Sequence, residues 1–87
     1  MKMTTWQMQS PDLSISQYVE NGCTVTLRAE KSFIDKQWNW QTIISRDEQL
    51  PYVSIEVGNT ASTLKRAQSE AETRIEPITA AMQVLGA

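Results

Sequence analysis

The sequence contains no histidine and only one cysteine, Cys23. The lack of histidine excludes the Ser-His and Cys-His pairs of nucleophilic catalysis and the common zinc sites. One cysteine cannot form a disulfide within the chain, and no basic residue stands beside Cys23 in the sequence to activate its thiol. We therefore interpret Cys23 as a structural residue and predict a reducing, cytoplasmic location.

Glycine is also scarce, with three residues, and neither a Walker loop nor a dinucleotide fingerprint is present. We therefore expect no cofactor. The chain has no apolar run of about 18 residues, and residues 1–6 lack the apolar core of a signal peptide. These absences predict that the protein does not span a membrane.

Charge of either sign is limited, since ten acidic and eight basic residues give a formal net charge of -2. Binding to duplex DNA needs clustered Lys and Arg, so we expect none. The acidic residues that could meet in a catalytic or metal-binding pair have no characteristic spacing, and we interpret them as solvated: Asp47, Glu48, Glu70, Glu72 and Glu76. The sequence therefore predicts a protein that is not an enzyme and holds no metal.

Alternating apolar residues predict β-strands between residues 13 and 57. The first turn has two possible registers. A two-residue loop at Asn21-Gly22 would pair Tyr18 with Val25 and set the apolar faces of the two strands against each other. A three-residue loop from Glu20 to Gly22 aligns those faces, and we prefer it; its pairs are Val19 with Cys23, Gln17 with Val25, Ile15 with Leu27 and Leu13 with Ala29.

The later strands are placed by the same parity test, which requires that the apolar residues at alternate positions of paired strands lie on one face of the sheet. A turn at Asp35-Lys36 pairs Phe33 with Trp38, Lys31 with Trp40 and Leu27 with Ile44. A strand from Tyr52 to Val57 then pairs Ile44 with Val53 and Trp40 with Val57. The prediction is an antiparallel meander of four strands with one apolar face, preceded by residues 3–9, which alternate weakly before Pro11, with Trp6 and Met8 as candidate inward residues.

The last third of the chain predicts one amphipathic helix, about residues 60–85, with Asn59 or Thr60 as N-cap. Its apolar stripe consists of Leu64, Ala67, Ala71, Ile75, Ile78, Met82 and Leu85. Pro77 removes one helical hydrogen bond, so we expect a kink there. The predicted fold is a single α+β domain, residues 1–87, in which a four-stranded antiparallel β-meander is covered on one face by a single long C-terminal α-helix kinked near Pro77.

Two surfaces are candidate binding sites. Parity places Trp38 and Trp40 on the helix side, so we interpret them as core residues; rings that stack unpaired bases are the alternative. The opposite face is sparsely charged and is predicted to carry partner-binding residues, which are Tyr18, Thr24, Thr26, Arg28, Gln41, Ile43 and Tyr52. The segment after Pro77 has apolar side chains to spare, and it either folds back or is buried against a second copy in a homodimer. Ile78, Met82 and Leu85 are therefore predicted partner-binding residues.

A pattern of aromatic, apolar and small residues carries a resemblance: Trp38-x-Trp40-x-x-Ile43, then Gly58, Ala61, Ala67, Ala71 and Ile75. It resembles small phage and prophage accessory proteins of sheet-plus-helix type, including some anti-CRISPR proteins. The order of four strands and a helix also resembles single-strand DNA-binding folds of the coactivator type, which use basic strands that this chain lacks. The resemblance implies a phage protein that binds and inhibits a protein of a bacterial defence system, in the bacterial or host-cell cytoplasm. The alternatives are a single-stranded nucleic-acid-binding protein that uses sheet aromatics and a small self-assembling structural protein.

Overall fold

Five antiparallel strands form one sheet, and a bent C-terminal helix packs on one of its faces. The computed structural model describes residues 5–20, 22–46 and 53–85. The elements in chain order are β1 (Gln7–Ser10), β2 (Leu13–Glu20), β3 (Cys23–Lys31), β4 (Trp38–Arg46), β5 (Val53–Ala61), α1 (Leu64–Thr73) and α2 (Ile75–Leu85), and the strands adjoin in that order. This confirms the α+β class with an antiparallel sheet. Neither α1 nor α2 has the length and apolar character needed to cross a bilayer.

The prediction of four strands is wrong because β1 adds a fifth. Pro11 lies in the tight turn between β1 and β2, where its missing N–H costs no ladder hydrogen bond. The register shifts between Met8 and Ser10, so β1 is short and bulged. Met8, a predicted inward residue, is 52% exposed.

The β2–β3 hairpin has the register that the sequence argument rejected. Glu20 pairs with Cys23 and Tyr18 with Val25, so the loop has two residues, and Gly22 adopts a φ of 77°. The preferred three-residue loop is therefore wrong. The turn preference of Asn-Gly prevails over the apolar alternation of β2. As a result, β2 buries two serines beneath the helix, Ser14 and Ser16, and turns its apolar side chains to the other face.

The two remaining hairpins have the predicted faces, but each register is shifted by two residues. Trp40 pairs with Ala29 rather than Lys31, and Ile44 pairs with Ile55 rather than Val53. The β3–β4 loop is longer than predicted, and its closing residue, Lys36, has a φ of 63°. β5 also extends through Gly58, Asn59 and Thr60 to Ala61, so these residues do not end the sheet as predicted.

The core lies between the helix and the adjoining face of the sheet. Its buried members are Val25, Leu27, Ala29, Trp38, Trp40, Ile44, Ala61, Ala67, Ala71, Ile78 and Met82. The interpretation of Trp38 and Trp40 as core residues is confirmed, with exposures of 8% and 3%. Both Ala67 and Ala71 are fully buried, because their small side chains let α1 approach a sheet that carries two tryptophans.

The helix begins later than predicted because β5 uses the predicted N-cap residues. Thr63 is the N-cap, and its hydroxyl accepts a hydrogen bond from the backbone N–H of Arg66 at 3.2 Å. The predicted kink is confirmed: α1 ends at Thr73 and α2 begins at Ile75. The bend precedes Pro77 by about one turn, since the missing Pro77 N–H is the one that would bond the Thr73 carbonyl.

Candidate interaction surfaces

The face of the sheet opposite the helix, here called the open face, carries five of the seven partner-binding residues that were predicted for it. Its members on β3 and β4 include Thr24, Thr26, Arg28, Gln41 and Ile43, which alternate with the buried residues of the same strands. Tyr18 does not belong to it: the two-residue loop places this ring on the helix side, packed against the core. Tyr52 lies outside the described residues.

Hydrogen bonds and one ion pair join several polar side chains of the open face. The Gln17 amide donates to Thr26 Oγ1 at 3.0 Å, and the Gln41 amide donates to Glu56 Oε1 at 2.8 Å. Arg28 forms an ion pair with Glu30 at 3.2 Å on the same strand. In the part of the chain that the structure describes, this face therefore carries charges of both signs.

The apolar residues of β2 also lie on the open face. Val19 is 62% exposed, and Leu13 and Ile15 are half-buried. In an antiparallel sheet with one solvent-exposed face, apolar side chains normally point to the core and polar side chains to the solvent. β2 shows the reverse arrangement. Departures from such a local rule concentrate at functional sites, so the open side of β2 is a candidate contact surface.

Among the described residues, Phe33 and Ile34 at the tip of the β3–β4 hairpin have the most exposed large apolar side chains. They are 85% and 87% exposed. The prediction that Phe33 pairs with Trp38 in the core is wrong, because Lys31 takes that place and β3 ends there. The sequence signal that we passed over is the break in alternation at Lys31, after which two large apolar residues precede the turn.

This hairpin tip is held by its own hydrogen bonds. The backbone N–H of Ser32 donates to the Gln37 carbonyl at 2.8 Å, and the N–H of Lys36 donates to the Ser32 carbonyl at 2.9 Å. Side chains close the remaining turns: Ser32 Oγ accepts from the N–H of Ile34, and Asp35 Oδ1 accepts from that of Gln37. The loop therefore presents its two apolar side chains in a defined conformation.

A groove of about 380 Å³ opens over β4 and β5 on the open face. Gly58 provides its floor, since a Cβ placed there would lie 2.8 Å from the Trp40 carbonyl oxygen and 3.3 Å from Gln41 Cγ. Side chains that line it include Arg28, Glu30, Asn39 and Gln41. The glycine thus permits the close approach of two strands and leaves a gap where other strands carry a side chain.

The predicted partner-binding residues of α2 have a different role. Ile78 and Met82 are 6% and 2% exposed and belong to the core, so the chain itself covers them. The bend after α1 is what lays them on the sheet. The side chain of Leu85 lies outside the described residues.

Acidic side chains of the helix bind tryptophans rather than forming a reactive pair. Glu70 accepts a hydrogen bond from the Trp40 indole at 2.9 Å, and Glu72 accepts one from the Trp6 indole at 2.7 Å. Within residues 5–20, 22–46 and 53–85, no three His, Cys, Asp or Glu side chains meet in a group that could hold a metal ion. Asp47 and Glu48 lie outside these ranges.

Comparison with protein-family models, with curated proteins and with solved structures found no match to this chain.

Proposed function

We propose that the chain is a non-enzymatic protein-binding module that anchors its partner with Phe33 and Ile34. The observation that carries this proposal is the near-complete exposure of both side chains, 85% and 87%, on a hairpin tip fixed by hydrogen bonds. Covering a large apolar side chain stabilises a complex by roughly 1.5–3 kcal/mol. A pre-ordered loop also lowers the entropy lost when the partner binds.

The surroundings of the loop favour a protein partner over a nucleic acid. Lys31 and Lys36 flank the apolar pair together with Asp35, so both signs of charge occur around it. An apolar centre with a mixed polar rim is typical of protein interfaces. Stacking of unpaired bases would need exposed rings on the sheet, whereas Trp38 and Trp40 lie in the core.

The open side of β2 extends the proposed surface. Leu13 pairs with Glu30, and the N–H of Lys31 donates to the Asp12 carbonyl at 2.8 Å, so the start of β2 lies at the same end of the sheet as the hairpin tip. Leu13 and Ile15 can therefore contact a partner that covers Phe33. The resemblance to small phage and prophage proteins supports a protein of a bacterial defence system as that partner.

Capture from bacterial lysate tests the proposal with matched variants. The wild-type chain is expected to retain a stoichiometric partner, and Phe33→Ser and Ile34→Ser are expected to lose it. Met8→Ser removes a half-exposed apolar side chain far from the loop in sequence and is expected to retain the partner. Thermal unfolding of each variant verifies that the fold is intact, because exposed side chains contribute little to stability.

Two outcomes would overturn the proposal: no stoichiometric partner for the wild-type chain, or undiminished capture by Phe33→Ser. A separate titration of a labelled single-stranded oligonucleotide at low salt, read by fluorescence anisotropy, examines the nucleic-acid alternative. Tight binding that Phe33→Ser leaves unchanged would favour that alternative instead.

A further inference from the structure

The two edges of the sheet are protected to different degrees. β1 has four residues, a register shift and Pro11 directly after its turn, and such features discourage further pairing. β5 forms the other edge with nine residues, contains no proline and carries a single charge, Glu56. A long edge strand with so little protection is a template for an additional strand.

The backbone of β5 has a defined outward side. The Trp40 carbonyl points toward β5, since a Cβ on Gly58 would lie 2.8 Å from its oxygen. The N–H of Thr60 donates to its neighbour's side chain, Asn59 Oδ1, rather than to β4. Because the direction of backbone groups alternates along a strand, the N–H and C=O groups of Glu56, Gly58 and Thr60 point away from the sheet.

We propose that β5 pairs antiparallel with β5 of a second copy of this chain and so forms a continuous ten-stranded sheet. If the two β5 strands pair along their whole length, the twofold axis passes beside the middle residue of the strand. That residue is Val57, midway between Val53 and Ala61. In that register the outward groups of Glu56 face those of Gly58 of the second copy. Each such pair exchanges two backbone hydrogen bonds.

Charge and space support this register. If the twofold axis passed beside Glu56, the two Glu56 carboxylates would lie directly opposite each other, which is unfavourable. With the axis beside Val57, the two Glu56 residues are about 8 Å apart. Each Glu56 then lies beside Gly58 of the other copy, in the groove. Because Gly58 has no side chain, nothing at that position separates Glu56 from Gln41. The Gln41 amide uses one hydrogen for Glu56 of its own chain and has a second to donate.

The helix side accommodates the second copy as well. The twofold axis is perpendicular to the sheet, so both helices lie on the same face of the joined sheet. α2 packs on β4 and β5. Its exposed residues include Ala80 and Ala81, whose small side chains add little bulk there. This interface differs from the loop that holds Phe33, so partner binding and self-association can fail independently.

A register-specific cross-link tests the inference. In a Cys23→Ser background, Val57→Cys places two thiols in a directly opposed pair with Cα atoms about 4.5 Å apart, within the range of a disulfide. Ile55→Cys is the matched control, because the same register separates its two Cα atoms by about 14 Å. On oxidation, Val57→Cys is expected to form a covalent dimer and Ile55→Cys to remain a monomer. Equal cross-linking of the two variants, or none of Val57→Cys, would overturn the register.

Sedimentation velocity across protein concentration tests the association itself without a cross-link. The wild-type chain and Phe33→Ser are expected to sediment as dimers. Glu56→Pro removes an outward N–H that β4 does not use and is expected to sediment as a monomer with its circular dichroism spectrum unchanged. Gln9→Pro, at the bulge of the opposite edge, is the control and is expected to remain a dimer. A monomeric wild-type chain, or a dimeric Glu56→Pro that is correctly folded, contradicts the inference.

Discussion

The hydroxyl of Thr42 donates a 2.7 Å hydrogen bond to the carbonyl oxygen of Ala71, at the last turn of α1. Both residues are fully buried, and they join a core strand of the sheet to the helix just before it bends. The N–H of Arg74 also reaches this oxygen, but at 3.3 Å. The bend takes the Ala71 carbonyl out of the regular hydrogen bonding of the helix. The Thr42 hydroxyl therefore donates the stronger of the two hydrogen bonds that this carbonyl accepts.

Thr42→Val is expected to lower the free energy of unfolding by about 1–3 kcal/mol. Valine has nearly the same shape, so the loss reports the hydrogen bond and the poorly satisfied Ala71 carbonyl rather than a cavity. Thr26→Val is the matched control on the open face and is expected to change stability by less than about 0.5 kcal/mol. Urea titration of both variants measures the difference; equal effects would mean that the Thr42 bond contributes nothing.

Ile78→Ala is expected to destabilise the fold by about 2–4 kcal/mol, because it opens a cavity between α2 and the sheet. Ile34→Ala makes the same chemical change at a side chain that is 87% exposed, compared with 6% for Ile78. That control is expected to cost less than about 0.5 kcal/mol. A small effect of Ile78→Ala would show that this residue is accessible to a partner, as the sequence alone suggested, and not part of the core.

The attachment of β1 to the helix is measurable by a double-mutant cycle. Trp6 Nε1 donates to Glu72 Oε1 at 2.7 Å across 66 residues of sequence. We expect a coupling free energy of about 0.5–1.5 kcal/mol between Trp6→Phe and Glu72→Ala. A parallel cycle with Trp38→Phe in place of Trp6→Phe is expected to be additive within about 0.5 kcal/mol. Additivity in both cycles would mean that β1 does not depend on this bond.

Residue parity was sufficient to predict which side of the sheet β3, β4 and β5 present to the helix. It could not determine loop lengths, because a shift of two residues preserves parity and leaves every side chain on its face. Thus Trp38 and Trp40 were placed correctly, although their partners across the strands are Lys31 and Ala29 rather than the predicted ones. The exposure of Phe33 follows from the same shift, since it lies beyond the last pair of β3.

Parity gave the wrong face for β2, because the apolar residues of this strand do not face the helix. The hairpin closes with the pair of Glu20 and Cys23, and in that register Ser14 and Ser16 are buried. The Ser14 hydroxyl accepts a hydrogen bond from Gln68 of α1 at 3.2 Å, so the helix satisfies a buried polar group. The apolar pattern along β2 does not reveal this hydrogen bond, because Gln68 lies 54 positions away from Ser14 in the sequence.

Substitution of neighbouring β2 residues by leucine distinguishes the two registers. Ser16 is 4% exposed on the helix side, so Ser16→Leu forces a large side chain into a packed site and is expected to cost about 1–3 kcal/mol. Gln17 lies on the open face, where its amide bonds Thr26, and Gln17→Leu is expected to change stability by less than about 0.5 kcal/mol. In the register with a three-residue loop Ser16 would face the solvent, and Ser16→Leu would then cost less than about 0.5 kcal/mol. Chemical denaturation of the two variants therefore decides which side chains β2 buries, and with them whether Leu13, Ile15 and Val19 are free to contact a partner.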